Sequence, residues 1–265
     1  MSDELETVIV AFDEETGVGS LTLDRPDALN ALNGQLLSDI VEGLRRLEAR
    51  NEDAEGVALR AVVIEGAGEK AFSAGADISG FSGGSSGGSS PRSTGRFVRE
   101  FPAPVIAKIQ GYCLGGGLET AFACDFRFAS EDSTFGLPEV DLGLLPGAGG
   151  VQYVARLANE AVAKELAMTG EHFPAERAHA EGLVHDVFPA EDLDDEVEAF
   201  AENLATQAPL SVQAIKESAN RAHQMGLNEG IQFDRTTFET LLNTEDAEEG
   251  AAAFSEDRDP EFVGK

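Results

Sequence analysis

An α/β fold is predicted by three observations. The chain opens strand, strand, helix, strand; the short apolar runs LRAVVIEG and APVIAKIQG have the β-branched character of buried strands; and from about residue 149 the periodicity turns mostly helical. TVIVAF and GSLTLD read as two short strands joined by the turn-rich DEETGVG, which predicts a hairpin. After the loop RPDALNALN, apolar residues recur at helical spacing through GQLLSDIVEGLRRLEAR. Residues 79–95, SGFSGGSSGGSSPRSTG, are too rich in glycine and serine to pack a core and read as a flexible surface loop. DFRFAS is strand-like, and VQYVARLA, NEAVAKELAMTG and AERAHAEG are helical. Residues 1–199 are expected to form the core, and 200–265 a helical region suited to oligomerisation.

Of 265 residues, 42% are hydrophobic, ample for a sizeable core. No run of about 18 apolar residues occurs, which predicts no membrane span. The acidic start MSDELETVIVAF is unlike a secretory signal, so a cytoplasmic location is expected. The 49 acidic residues outnumber 19 basic ones for a net charge of -30. Such self-repulsion is tolerated where salt shortens the screening length to roughly 3 Å at about 1 M, and a halophilic, salty cytoplasm is expected. The same charge argues against nucleic acid as a partner. Cys113 and Cys124 lie in apolar surroundings and are expected to be buried, reduced thiols. His172, His179, His185 and His223 match no metal-ligand spacing and suit surface or packing roles, so no metal site is expected.

Three stretches could carry chemistry. KAFSAGADI (70–78) ends a strand in small residues; GGGLETAFACD (115–125) places three glycines before Glu119 at a helix start; FGLPEVDLGLLPGAGG (135–150) carries Glu139. Alone, each is compatible with a structural role as a tight turn, a close-packed cap or a first helical turn. Together they supply complementary parts. Two glycine- or alanine-rich turns offer backbone N–H donors for one carbonyl oxygen, and two carboxylates could move protons beside it.

These segments resemble the signature stretches of the crotonase (enoyl-CoA hydratase/isomerase) superfamily. RPDALNAL, TGEHFPAERAHAEGLVHDV and EDAEEGAAAFSEDRDPEF fit the same order, so the resemblance spans nearly the whole chain. It implies a spiral of repeated ββα units with a C-terminal helical region, assembled as trimers that pair into hexamers. It also implies an acyl-CoA thioester substrate and no separate cofactor, coenzyme A being part of the substrate. Carried over by position, the N–H groups of Ala74 and Gly116 would form the oxyanion hole. Ala28 and the run Ala74, Gly75, Ala76, Asp77 and Ile78 would line the CoA ester. Glu119 would activate water and Glu139 would protonate C2 in a reversible syn hydration of a trans-2-enoyl-CoA. Isomerisation, dehydration of a hydroxyacyl-CoA and a non-catalytic CoA-ester-binding role are the alternatives. The chain departs from the pattern at Tyr153, beside Gln152 where an Arg is common, and at Asp257, where a Lys is usual. This leaves Arg258, Lys265 or Arg25 to meet the CoA phosphates.

Overall fold

Residues 5–77 and 90–265 are described in a computed structural model of the chain. The hairpin forms as expected around its turn-rich segment: β1 (Val8–Phe12) pairs antiparallel with β2 (Val18–Leu23), burying Leu21 and Leu23. Helix α1 (Gly34–Glu48) starts at Asn33, whose side chain accepts the Leu36 N–H at 2.8 Å, the expected way to satisfy a first-turn donor. Its buried stripe of Leu36, Leu37, Ile40, Leu44 and Leu47 joins the main core.

Beyond α1 a strand–strand–helix unit repeats. β3 (Ala61–Gly66) and β4 (Ala71–Ser73) precede α2 (Pro91–Glu100); β5 (Val105–Ile109) and β6 (Tyr112–Leu114) precede α3 (Gly116–Ala123). β7 (Phe126–Ser130) and β8 (Thr134–Gly136) precede α4 (Gly150–Leu157). Then come α5 (Glu160–Thr169), β9 (Phe173–Pro174), α6 (Ala175–Ala180), β10 (Asp186–Phe188) and α7 (Leu193–Ala205). The chain ends in α8 (Pro209–Arg221), α9 (Leu227–Leu241) and α10 (Glu245–Glu256).

In each repeat the first strand enters one sheet and the second another. The strand orders are β1-β2-β3-β5-β7-β10 and β4-β6-β8-β9. From β2 through β10 the neighbours in the first sheet run parallel, as do β4, β6 and β8 in the second. Parallel strands covered on both faces read as unbroken apolar runs, which is why LRAVVIEG and APVIAKIQG carry little alternation. The topology sets β4, β6 and β8 side by side, so the loops leaving them emerge together. Those loops are the three chemistry-bearing stretches of the sequence.

Two expectations change. The glycine- and serine-rich segment is not all loop: Ser90 caps α2 by accepting the Ser93 N–H, and Thr94 and Gly95 are buried. Thr94 Oγ1 donates to the Leu37 carbonyl at 3.3 Å. Composition hid this short helix because its apolar face is narrow and its small residues pack between neighbours. Residues 79–89 lie outside the described residues, as does Ile78. Secondly, the expected boundary at 199/200 falls inside α7, whose Leu193, Val197 and Ala201 pack with Ile106 and Phe128 beneath the large sheet. The helices past the core are therefore α8–α10. No helix among the described residues is long and apolar enough to cross a membrane.

Candidate active site

The first turn of α3 is pressed against the end of β4. A Cβ on Gly117 would stand 2.5 Å from the Ser73 carbonyl oxygen, so only glycine permits that approach. Gly115, just before the helix, has φ +49°, and a Cβ there would lie 2.9 Å from Glu139 Oε1. The glycines thus bring a helix start, with its unpaired N–H groups, under a strand end and beside a carboxylate. Every residue of α3 is buried, including Glu119 at 3% exposure.

The two carboxylates are held differently. Glu119 Oε1 accepts the N–H groups of Ala148 and Gly150, each at 2.8 Å, from the turn that starts α4. Burial raises the Glu119 pKa, and the amides of Gly150, Ala148 and Gly149 oppose that rise by stabilising the carboxylate. Glu139 sits in a short 3₁₀ turn, Pro138–Leu142, that follows β8. Its buried Oε2 has no hydrogen-bond partner among the described residues. Desolvation pushes its pKa up to about 7, its own backbone N–H lowers it, and the nearby Glu119 charge raises it further. One group is therefore clamped by backbone donors that offset part of its burial, and the other is poised to hold a proton near neutrality.

The backbone donors come from the start of α3 and the end of β4. Gly116 N–H opens α3 with no acceptor among the described residues. On the β4 side the expected donor is corrected. Ala74 N–H donates to the Leu29 carbonyl at 2.9 Å, so it is occupied and cannot also hold a substrate oxygen. Gly75, at φ +94°, turns the chain, and Ala76 forms a parallel bridge with Leu32. Leu32 donates to the Gly75 carbonyl at 2.7 Å and accepts from Asp77 N–H at 3.0 Å, which leaves Ala76 N–H pointing away from that pairing. A Cβ on Gly116 would stand 3.7 Å from Ala76 N, so the two free amides adjoin. Ala76 and Gly116 thus offer two adjacent backbone donors.

Of the remaining expected positions, Ala28 ends a 3₁₀ turn (Pro26–Ala28) next to Leu29, and Asp77 pairs with Arg25 Nη2 at 3.1 Å. Arg25 Nη1 also donates to the Ala31 carbonyl. Leu29 and Asn30 both take left-handed backbone, φ +50° and +53°, on the order of 1 kcal/mol of strain each. The role of this loop in shaping the cleft is not visible in residue types, apart from Asn, which tolerates such φ. Of the three basic residues considered for the CoA phosphates, Arg258 is engaged by Glu249 and Glu256, and Lys265 lies 3.6 Å from Glu55. Only Arg25 belongs to the loops of the cleft.

A cavity of about 980 Å³ lies behind the 148–150 turn, between α8 and the core, lined in part by Phe122, Tyr153 and Lys216. Neither glutamate lines it, and two of its cations, Lys216 and Arg127, are engaged. Lys216 pairs with Asp125 at 2.6 Å, and Arg127 donates to the carbonyls of Leu183 and Cys124. Cys113 and Cys124 are buried and unpaired, with burial raising both thiol pKa values, that of Cys124 to about 12. His185 has a packing role: its Nδ1 accepts Arg127 N–H at 3.1 Å between Phe126 and Phe128, and desolvation lowers its pKa to about 4.

With this geometry in place, residues 13–265 match the sequence profile of the family described as enoyl-CoA hydratase/isomerase. The short-chain-enoyl-CoA hydratase of Clostridium acetobutylicum is 36% identical over 260 residues, covering 96% of this chain and 97% of that protein. The (E)-benzylidenesuccinyl-CoA hydratase of Thauera aromatica is 37% identical over 264 residues, covering 96% and 99%. The crystal structure of an enoyl-CoA hydratase from Bacillus anthracis superposes with a TM-score of 0.87 at 35% identity, covering 98% of this chain and all of that one.

Proposed function

The chain belongs to the enoyl-CoA hydratase/isomerase family, and on that premise we propose that it hydrates a trans-2-enoyl-CoA reversibly and syn to the 3-hydroxyacyl-CoA. The observation that carries this reading is the pairing of a clamped carboxylate, Glu119, with a carboxyl poised near neutrality, Glu139, beside two free amides. The thioester oxygen sits between Ala76 N–H and Gly116 N–H. Glu119 takes a proton from water as its oxygen bonds to C3. The π electrons move towards the thioester, and the enolate charge falls on the oxygen those amides hold. Glu139 then gives its proton to C2. Water supplies both hydrogens in net terms, and the two glutamates return to their starting states by exchanging a proton. Oxidation state is conserved overall, so the reaction asks for no redox cofactor, and the coenzyme A is part of the substrate. An amide donor of this kind contributes about 3 kcal/mol to such a step, and a placed acid or base about 10²–10⁴ in rate.

The acyl group is a separate matter. Relatives of equal similarity are named for short-chain and for aryl-bearing substrates. The loops Ala28–Leu32 and Ala74–Asp77 would run along the CoA, with Arg25 a basic group held beside them by Asp77. The outward apolar residues of α9, among them Leu227 and Phe238, support a homotrimer or homohexamer. The net charge of -30 supports a salty cytoplasm as the setting.

The test is turnover of purified protein in molar KCl with a short trans-2-enoyl-CoA, with the product identified. Formation of the 3-hydroxyacyl-CoA, abolished by Glu119→Gln, supports the reading. Migration of the double bond without water uptake would make the protein an isomerase instead.

A further inference from the structure

The segment Arg25–Leu32 carries no reacting group, yet the β4 side of the cleft is hung on it. Asn30 is completely buried. Its Nδ2 donates to the carbonyls of Ala71 at 2.7 Å and Ala67 at 3.1 Å, and its Oδ1 accepts Arg25 N–H at 3.0 Å. Its own carbonyl accepts from Ser73 Oγ at 2.8 Å, and Ser73 Oγ in turn accepts Gly75 N–H at 3.3 Å. On either side of Asn30, Leu29 takes the Ala74 amide and Leu32 the Asp77 amide. Among the described residues, the N–H groups of Ala74, Gly75 and Asp77 are therefore all occupied, and that of Ala76 alone in this run is free.

We propose that Asn30 is a positioning residue of the oxyanion hole: it fixes the register of 29–32 against 71–77, and that register selects Ala76 as the residue whose N–H meets the substrate oxygen. The inference rests on the cleft being an acyl-CoA site of the kind proposed above. The physical reason is the two-residue period of extended backbone. A slip of one residue would turn the Ala76 amide into the pairing and aim a neighbour at the cleft. Asn suits the position because it accepts left-handed φ and still offers two donors and an acceptor. Gly would accept the φ and offer none. Asp would set a carboxylate against two carbonyl oxygens.

Asn30→Gly therefore separates register from backbone strain. Three quantities are measured: hydration kinetics with a short trans-2-enoyl-CoA, the melting temperature, and the absorbance of a bound aryl-enoyl-CoA. The chromophore's band moves to longer wavelength when its carbonyl oxygen accepts hydrogen bonds; it is read in a Glu119→Gln background so that it is not consumed. The expected result is a fall in kcat of about 10²-fold, the scale of a displaced or lost oxyanion donor. KM should change by less than about threefold, and the red shift should shrink. A folded Asn30→Gly protein with near wild-type kcat and the full red shift overturns the proposal. Should that variant fail to fold, Ser73→Ala, which removes the Ser73–Asn30 link together with the acceptor of the Gly75 N–H, is expected to weaken the red shift and lower kcat about tenfold; an undiminished shift and kcat overturn the proposal equally. A wild-type protein that shifts the chromophore but hydrates no enoyl-CoA sinks the hydratase reading alone, and the variants' shifts still decide the role of Asn30. A wild-type protein that binds the chromophore without shifting it overturns both.

Discussion

Helices α3 and α9 are built on opposite principles. Every residue of α3 is buried, and its first turn is fixed by contacts with β4, Glu139 and the start of α4. No residue of α9 is fully buried; Phe233 and Leu241 are half-buried, while Leu227, Ile231 and Phe238 face outward, Leu227 at 79% and Phe238 at 61% exposure. In α3 the packing serves position: small residues let backbone amides and a carboxylate converge within ångströms. In α9 the sequence supplies apolar surface that this chain alone does not cover. Substitutions should therefore act on turnover at one helix and on assembly at the other.

The largest effect is expected from Glu119→Gln. The side chain keeps its shape and can still accept from Ala148 and Gly150, but it no longer takes a proton. Turnover should fall by about 10²–10⁴, while the melting temperature and the affinity for a CoA thioester change little. Turnover within tenfold of wild type would remove Glu119 from the water-activating role.

Next comes Gly115→Ala. The added methyl would meet Glu139 Oε1 at 2.9 Å on a backbone with φ +49°, so it moves the carboxyl and strains the turn. A displacement of about 1 Å lowers turnover by roughly 10², and the strain destabilises by about 1–3 kcal/mol. Kinetics and denaturant unfolding on the same preparation separate the two. Loss of stability without loss of turnover would show that this contact does not place Glu139.

Glu139 also gives a pH test that sharpens the contrast between the carboxylates. In hydration Glu139 must start protonated, so kcat/KM should fall as pH rises through about 7, and Glu139→Gln should abolish that limb with the activity. The stability consequence has a fixed sign. A carboxyl whose folded pKa is raised favours the fold below its unfolded pKa and loses that advantage as pH rises through the folded value. Glu139→Gln is thus expected to melt higher than wild type at pH 8 and close to it at pH 5, with about 2–4 °C per kcal/mol recovered in a domain of this size. Equal melting temperatures at both pH values would mean that Glu139 titrates as an ordinary surface carboxylate.

Much of the site was legible because glycine runs and carboxylates in apolar segments have few physical uses. GGGLE and LPE each announced a donor or an acid, and the β-branched runs announced the sheet that aligns them. The Ala74 assignment failed for a reason that residue types cannot reveal. Which amide of a strand end faces a cleft depends on pairing with Leu29 and Leu32, more than forty residues earlier, and a one-residue difference reverses it. The same long-range pairing hid Asn30, whose side chain was ambiguous between a turn and a core role. In α2 the glycine- and serine-rich composition masked a cap and a buried Thr94, since small residues packed between helices look like loop residues in one dimension.

The smallest catalytic effect is expected at α9, where the comparison can be broken most directly. Phe238→Ser removes an exposed ring that contributes to no core cluster in this chain, so the fold of the protomer should hold. If α9 forms an interface between copies, sedimentation in molar KCl should show a shift towards smaller species, growing on dilution. Turnover per protomer under conditions where the assembly is intact should stay within about twofold, since surface changes away from a site alter little. Lower salt should deepen the dissociation, because copies of a chain with net charge -30 repel more strongly when screening is weak. An unchanged assembly in Phe238→Ser, at low salt as well as high, would place the interface elsewhere and leave the apolar face of α9 without the role assigned to it. A large loss of turnover in a variant that remains assembled would join α9 to the chemistry, and the division between a positioning helix and an associating one would fall.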